Sequence, residues 1–202
     1  MALTAASEFI SISSSEDWEC LDAQDNAYGE SFVLWEKATS EDFPMVKCTG
    51  IVNCTAKQAF DYILSCDLET RKLWDPQVAK YDLVEEIDKN THLLHYVYTA
   101  PFPVTTRDFC AFRYVYQTDN TYLICGVSTE NPAIPPLKDY VRGEIFISGY
   151  TFEDTEDGRC KITSLNHVDP KGWIPSFVVN MAKNKQLTKL LQMSKMINEF
   201  VN

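Results

Sequence analysis

The stretch "TAPFPVTTRDFCAFRYVYQ", residues 99–117, begins as a proline-broken loop and continues as a run of residues typical of a β-strand. Successive side chains of a strand point to opposite faces, so one face carries Phe109, Ala111, Arg113 and Val115. The opposite face is also apolar enough to be covered by other parts of the chain. The stretch therefore predicts a buried strand with a charged residue in its middle.

Arg113 needs an acceptor in such a strand, because a buried and unpaired charge costs several kcal/mol. Three interpretations are open: an ion pair with an acid on a neighbouring strand, contact with the polar head of a ligand in a cavity, or an edge position open to water. Arg107 and Asp108 stand where the strand begins. We expect them to form a local bridge that fixes the preceding loop.

The totals of the chain indicate one folded domain. It has 202 residues, of which 45% are hydrophobic and 12% aromatic. The formal net charge of -11 argues against broad nucleic-acid binding, which depends on a basic surface. Seven cysteines without a C-x-x-C pair favour reduced thiols over disulfides or zinc, and we predict no metal site. No secretory signal or long apolar run is visible, so we expect a cytoplasmic protein.

Charge is distributed unevenly along the chain. Residues 1–44 hold ten acidic residues against one lysine, whereas residues 171–202 hold five lysines against one glutamate. We interpret residues 1–29 as an acidic N-terminal extension or a short helix, and residues 30–202 as the folded domain. The C-terminal lysines either favour an anionic membrane surface or form an ordinary solvated helix face.

The order of predicted elements favours an α+β fold. Strands at 31–38 and 45–54 precede a helix that begins with the capping-box pair Thr55 and Gln58. A short helix before Pro76 and about six strands follow, with turns short enough for an antiparallel sheet. The chain then ends in a long amphipathic helix after "DPKGWIP". A curved antiparallel sheet around that helix would leave an internal cavity.

Three motifs occur together in this order: "RKLWDP", "APFPVTTRDF" and "DPKGWIPSFVVN". In order and spacing they resemble the StAR-related lipid-transfer (START) domains, and the resemblance extends from about residue 30 to residue 200. It implies a helix-grip fold, in which the sheet grips the C-terminal helix and one lipid lies in the tunnel between them. It also implies a gate formed by the proline-rich loop and that helix, at Pro101, Phe102, Pro103, Trp173 and Val179.

Among START domains the sequence is most similar to the phosphatidylcholine-transfer type. That resemblance implies that Arg71 binds the lipid phosphate and that an aromatic cage for choline includes Tyr96, Phe109 and Phe146. From the residues alone, Arg71 could instead bridge its own short helix, and the aromatics could be ordinary core. The sequence departs from the type at Ser65, where the type has tyrosine, and in strand 161–168, which lacks a further cage aromatic. Ethanolamine, ceramide and sterol ligands thus stay open, although "THLLHYVYTA" lacks the acid that sterol binders place there.

The function that follows from the resemblance is non-enzymatic binding of a lipid and its transfer between membranes by a monomer that touches membranes transiently and needs no cofactor. An apolar tunnel suits this task, since each buried methylene contributes about 0.8 kcal/mol. A ligand-responsive sensor and a small hydrolase or cyclase are the alternatives. The three histidines, His92, His95 and His167, come with no nucleophile elbow or metal spacing. We expect His95 to be a satisfied core histidine.

Overall fold

The computed structural model describes residues 2–41, 43–118 and 121–201. The described residues form one large sheet and four helices. The helices are α1 (Ala2–Ser13), α2 (Ala56–Ser65), α3 (Leu68–Lys72) and α4 (Ser176–Val201). The strands are β1 (Glu19–Asp25), β2 (Ser31–Lys37), β3 (Met45–Val52), β4 (Val78–Asp88), β5 (Thr91–Tyr98), β6 (Arg107–Gln117), β7 (Thr121–Ser128), β8 (Val141–Arg142), β9 (Glu144–Asp154) and β10 (Cys160–Asp169).

The sheet has the order β1-β2-β3-β10-β9-β7-β6-β5-β4, and neighbours in this path pair antiparallel. The short strand β8 pairs parallel with β6. This is the predicted α+β helix-grip architecture, a curved antiparallel sheet with a long C-terminal helix. The strands β8 and β9 are separated only by Gly143. A Cβ at this glycine would lie 2.3 Å from the ring of Phe109.

The caps of α2 and α3 follow from the local sequence. Thr55 accepts a hydrogen bond from the amide of Gln58, and the Gln58 side chain accepts one from the amide of Thr55, so the predicted capping box is confirmed. Asp67 caps α3 by accepting from the amide of Thr70 at 2.8 Å. This cap fixes the start of the five-residue helix that carries Arg71.

The part of the chain before residue 30 packs on the sheet. α1 lies on one sheet face, where Phe9 is fully buried in a cluster with Leu123 and Ile147. β1 extends the sheet beyond β2 as an exposed edge strand. The segment predicted as an extension or a short helix thus contains both a helix and a strand.

The helix α4 crosses the opposite face and is anchored through its C-terminal half. Leu187, Leu190, Met193 and Ile197 are buried with residues of β2, β3 and α2. The carboxylate of Glu30 is completely buried and accepts hydrogen bonds from the side chains of Ser194, Asn198 and Asn26 and from the amide of Asn53. These contacts hold one end of α4 and leave its N-terminal half over the cavity.

Candidate functional site

A cavity lies between the sheet and the N-terminal half of α4. Apolar side chains from the sheet and from α4 form much of its wall, among them Val46, Ile124, Ile145, Val178 and Val179. Aromatic and charged side chains from α3, β4, β5 and β6 form another part of the wall. The combination of an apolar space and a few polar groups is typical of a ligand site.

Arg71 is the most unusual of these charged residues. It is 7% exposed, and its guanidinium carbon lies 4.0 Å from the ring centroid of Tyr81 and 4.8 Å from that of Trp74. Its Nε is buried without a hydrogen-bond partner among the described residues. The bridge within α3 is made by Lys72 and Glu69 instead. Arg71 therefore does not serve its own helix as an ion-pair partner, and its charge faces the cavity.

Arg113 also lines the cavity. Its Nη1 donates to the hydroxyl of Tyr81 at 2.8 Å, and its Nε is buried without a partner in the described part of the chain. The residue opposite it on β5 is His92. Of the three interpretations of this buried charge, the structure favours the cavity position, since the partner it provides is a neutral tyrosine.

A third cation reaches the cavity from α4. Lys189 Nζ lies 2.6 Å from Asp75 Oδ2, and the hydroxyl of Tyr98 donates to the same carboxylate at 3.3 Å. Burial alone would lower the pKa of Lys189, but Asp75 and the nearby tyrosines outweigh burial and raise it. The ammonium is therefore charged at neutral pH, and the ion pair ties α4 to the segment after α3.

Two of the three predicted cage aromatics lie at the cavity. Tyr96 and Phe109 are part of its lining, and the ring of Tyr96 lies 5.3 Å from that of Tyr81. Tyr98 lies 6.2 Å from Phe109, edge to face. Aromatic residues of this kind can form cation–π contacts with a ligand cation.

The predicted placement of Phe146 at the cavity is wrong. Its ring lies 4.5 Å from that of His167 instead. Strict alternation from the lining residues Ser148 and Tyr150 would place Phe146 there too. However, a β-bulge shifts the register of β9, where His167 pairs with Ile147 and Val168 with Ile145. The bulge leaves Phe146 outside the lining and Ile145 in it.

Of the five predicted gate residues, Pro101 and Val179 line the cavity. The peptide bond between Phe102 and Pro103, which follow Pro101, is cis. Phe102 is 95% exposed and Trp173 is 71% exposed. Large aromatic side chains therefore project into solvent from both the proline-rich loop and the segment before α4.

Arg107 and Asp108 do not bridge each other, which corrects the expectation of a local bridge. Arg107 donates to the backbone carbonyls of Thr105, Pro170, Lys171 and Trp173, and so ties β6 to the segment before α4. Its role is structural, as expected, but only Thr105 is local, and the other three partners are distant in sequence.

Asp108 is fully buried and has its own partners. It accepts from Arg142 at 2.8 Å and contacts His95 Nε2 at 3.0 Å. Burial would raise the pKa of Asp108, but the hydrogen bonds from Arg142 and His95 outweigh burial and lower it. His95 is a core histidine with a satisfied partner, as predicted.

Sequence reasoning missed Tyr81, Asp75 and Lys189. Asp75 lies inside the quoted motif "RKLWDP", and Lys189 follows Val178, Ala182 and Lys185 at helical spacing on the cavity side of α4. That spacing was the available signal for Lys189. Tyr81 had none, because β4 is exposed along most of its length.

No group of His, Cys, Asp or Glu side chains among the described residues could hold a metal ion. None of the described helices has the length and apolar character that crossing a bilayer requires.

Comparison with known proteins identifies the family. The START domain model matches residues 11–198. START domain-containing protein 10 of Mus musculus is 31% identical over 166 residues, which are 81% of this chain and 56% of that protein. The acetyl-coenzyme A thioesterase of Rattus norvegicus is 24% identical over 70% of this chain and 25% of its own length. The chain thus spans only part of the curated relatives it matches.

Solved structures show the same fold. Human STARD10 superimposes with a TM-score of 0.83 and 27% identity, covering 96% of this chain and 78% of that chain. Human StAR-related lipid transfer protein 5 superimposes with a TM-score of 0.85 at 18% identity, covering 100% of this chain and 97% of that chain. With the family model matched over nearly its whole length, the chain belongs to the START domain family.

Proposed function

We propose that this START domain carries one phospholipid at a time between membranes and performs no chemistry on it. The observation that carries the proposal is Arg71, a buried guanidinium that no described carboxylate neutralises and that faces an apolar cavity. A buried charge of this kind is stabilised by an anion, and the phosphate of a phospholipid is an anion attached to apolar chains.

The guanidinium group fits a phosphate diester well. It presents several N–H donors in a planar fork, and charge-assisted bonds of this type are about twice as strong as neutral ones. Tyr81 and Trp74 contact the group through their rings, and its Nε has no hydrogen-bond partner among the described residues. The acyl chains would lie along the apolar wall, where each methylene contributes about 0.8 kcal/mol, as it does in a bilayer.

A choline head group would find Tyr96 and Phe109, which could contact its quaternary ammonium. Phe146 is not available for this purpose. We therefore propose a phospholipid similar to phosphatidylcholine in size and in its phosphate, with the phosphate contact as the main determinant. A sterol has no phosphate to offer Arg71, which makes a sterol carrier the less favoured reading.

The proposed route of entry is the side of the cavity near Phe102 and Trp173. Both rings are exposed, and aromatic rings are favoured at membrane interfaces. We propose that the chain is a monomer in the cytoplasm and that these rings touch the bilayer transiently. The anchored C-terminal half of α4 would stay in place while its N-terminal half admits the lipid.

A ligand-responsive sensor would use the same cavity, so transfer has to be measured directly. Donor vesicles with a fluorescent phosphatidylcholine and a quencher are mixed with unlabelled acceptor vesicles and substoichiometric protein. Many lipids moved per protein molecule would support a carrier. Uptake of a single lipid per molecule without delivery would support a sensor. Release of fatty acid or lysolipid in the same mixture would support an enzyme.

A further inference from the structure

We propose that the cavity selects phospholipids whose head groups carry a net negative charge over zwitterionic ones, with Arg113 as the specificity-determining residue. The inference rests on the proposed function, because it assumes that a phospholipid phosphate binds at Arg71. It concerns the part of the head group beyond the phosphate.

The charge of the cavity wall is opposite to that of the whole chain. The chain has a net charge of -11, yet no aspartate or glutamate occurs among the described residues that line the cavity. Six cationic residues do line it: Arg71, Arg107, Arg113, Lys183, Lys185 and Lys189. The site is therefore a positive cavity within an acidic protein.

Three of these cations already have strong partners. Arg107 donates to backbone carbonyls, Lys183 lies 2.9 Å from Glu36, and Lys189 lies 2.6 Å from Asp75. They contribute to the positive field, but they need no ligand to satisfy them.

The other three, Lys185, Arg71 and Arg113, contact no carboxylate in the described part of the chain, and two of them, Arg71 and Arg113, meet at one side chain. They share Tyr81: one guanidinium lies over its ring at 4.0 Å, and the other donates to its hydroxyl at 2.8 Å. The Nε atoms of both are buried without partners among the described residues. Two uncompensated positive charges thus lie around one tyrosine.

A single phosphate diester has one negative charge and neutralises one of the two. A head group that adds a quaternary ammonium and no second anion would bring a further positive charge toward the second arginine. This is unfavourable in a poorly solvated site, even where Tyr96 and Phe109 contact the ammonium. A head group with a second negative charge, either a phosphomonoester or a phosphodiester with a carboxylate, would pair with it. The incomplete aromatic cage also disfavours choline, since Phe146, one of its three expected residues, packs on His167 instead of lining the cavity.

The test uses one type of vesicle that contains equal amounts of phosphatidylcholine, phosphatidylethanolamine, phosphatidylserine and phosphatidic acid with the same acyl chains. Because all four lipids share one bilayer, attraction of the protein to the surface is common to them. After equilibration the protein is separated from the vesicles, and its bound lipids are quantified by mass spectrometry. We expect the two anionic lipids to be enriched about tenfold over phosphatidylcholine, which is a difference of about 1.4 kcal/mol.

The variant Arg113→Gln keeps a hydrogen-bond donor for Tyr81 but removes the charge. Its enrichment of anionic lipids is expected to fall to near unity, with a thermal unfolding midpoint close to that of the wild type. The matched control is Lys195→Gln on α4, because Lys195 is exposed, pairs with Glu199 and does not line the cavity. The control should keep the wild-type enrichment.

The outcomes separate this inference from the proposed function. If the protein binds phospholipid and the bound phosphatidylcholine equals or exceeds each anionic lipid, the inference is overturned and the carrier function stands. Equal enrichment in the wild type and in Arg113→Gln would overturn the assignment to Arg113. A protein that takes up none of the four lipids would overturn both proposals.

Discussion

The guanidinium of Arg71 lies over the ring of Tyr81, with its central carbon 4.0 Å from the ring centroid. The contact holds a buried cation in a fixed place without neutralising it. An aromatic face attracts a cation, and the Nε of Arg71 has no hydrogen-bond partner among the described residues. This arrangement supports the proposal that Arg71 contacts the phosphate of a lipid.

Replacing Arg71 with methionine should abolish phospholipid uptake. The new side chain keeps apolar contact with Tyr81 and Trp74 but offers no charge to a phosphate. Because the wild-type charge is buried and unpaired, its loss should leave the free energy of unfolding unchanged or slightly increased. Uptake from vesicles is measured by mass spectrometry of bound lipid and unfolding by urea titration, with Arg159→Met as the control, since Arg159 is a surface residue paired with Asp157. A folded Arg71→Met protein that takes up phospholipid normally would refute the phosphate role.

The double variant Phe102→Ala and Trp173→Ala should slow transfer between vesicles severalfold without changing the lipid bound at equilibrium. Both rings are exposed and make no contribution to the core. Their loss would weaken contact with the bilayer, which affects the rate of exchange and not the affinity of the cavity. Leu83→Ala on β4 removes an exposed apolar side chain elsewhere and should transfer at the wild-type rate. An unchanged rate in the double variant would place the membrane contact on another surface.

Replacing Glu30 with alanine should destabilise the protein by about 3 kcal/mol or more. This carboxylate accepts hydrogen bonds from four donors. Without it, these donors would have lost their shared acceptor, and buried polar groups would be unsatisfied. The change in the free energy of unfolding is measured by urea denaturation, with Glu85→Ala as a control at an exposed position of β4. A loss smaller than about 1 kcal/mol would show that the apolar contacts of α4 suffice to anchor it.

Two glycines of the sheet should respond differently to alanine. A Cβ at Gly149 would lie 2.1 Å from the carbonyl oxygen of Ile124 and 2.7 Å from the Cα of Cys125, so backbone would have to move. A Cβ at Gly126 would approach nothing closer than 3.5 Å. We expect Gly149→Ala to lower the free energy of unfolding by about 2 kcal/mol or more and Gly126→Ala to change it little. Similar unfolding midpoints for the two variants would contradict the close approach of β7 and β9.

Lys47 should make stability depend on pH in the alkaline range. It is buried beneath Trp18, 4.4 Å from the ring centroid, and donates to the carbonyl of Ser13. Burial, together with Lys161 and Lys37, lowers its pKa from 10.5 to about 8. The unfolded chain then binds more protons than the folded protein between about pH 8 and pH 10.5, so the free energy of unfolding rises with pH there.

The check is the difference in stability between the wild type and Lys47→Met at several pH values, which cancels the titration of other groups. The free energy of unfolding of the wild type should increase relative to that of the variant as the pH rises through that window. A decrease relative to Lys47→Met would mean that the ring and the carbonyl stabilise the ammonium more than burial destabilises it.

The sequence predicted the fold well because its signals are local. The capping box at Thr55 and Gln58, the alternation in β6 and the helical spacing of α4 each depend on neighbouring residues, and three motifs in register supplied the family. The site is less accessible from sequence, because it depends on contacts between distant segments. The bulge that turns Phe146 away requires the pairing of β9 with β10, and Lys189 becomes part of the site only when α4 meets Asp75.

Native mass spectrometry of the protein after incubation with phospholipid vesicles tests the central claim most directly. The account predicts a complex of one phospholipid per chain in the wild type and the unliganded mass alone in Arg71→Met. A wild-type protein that emerges without phospholipid, or an Arg71→Met variant that carries the same load, would contradict it.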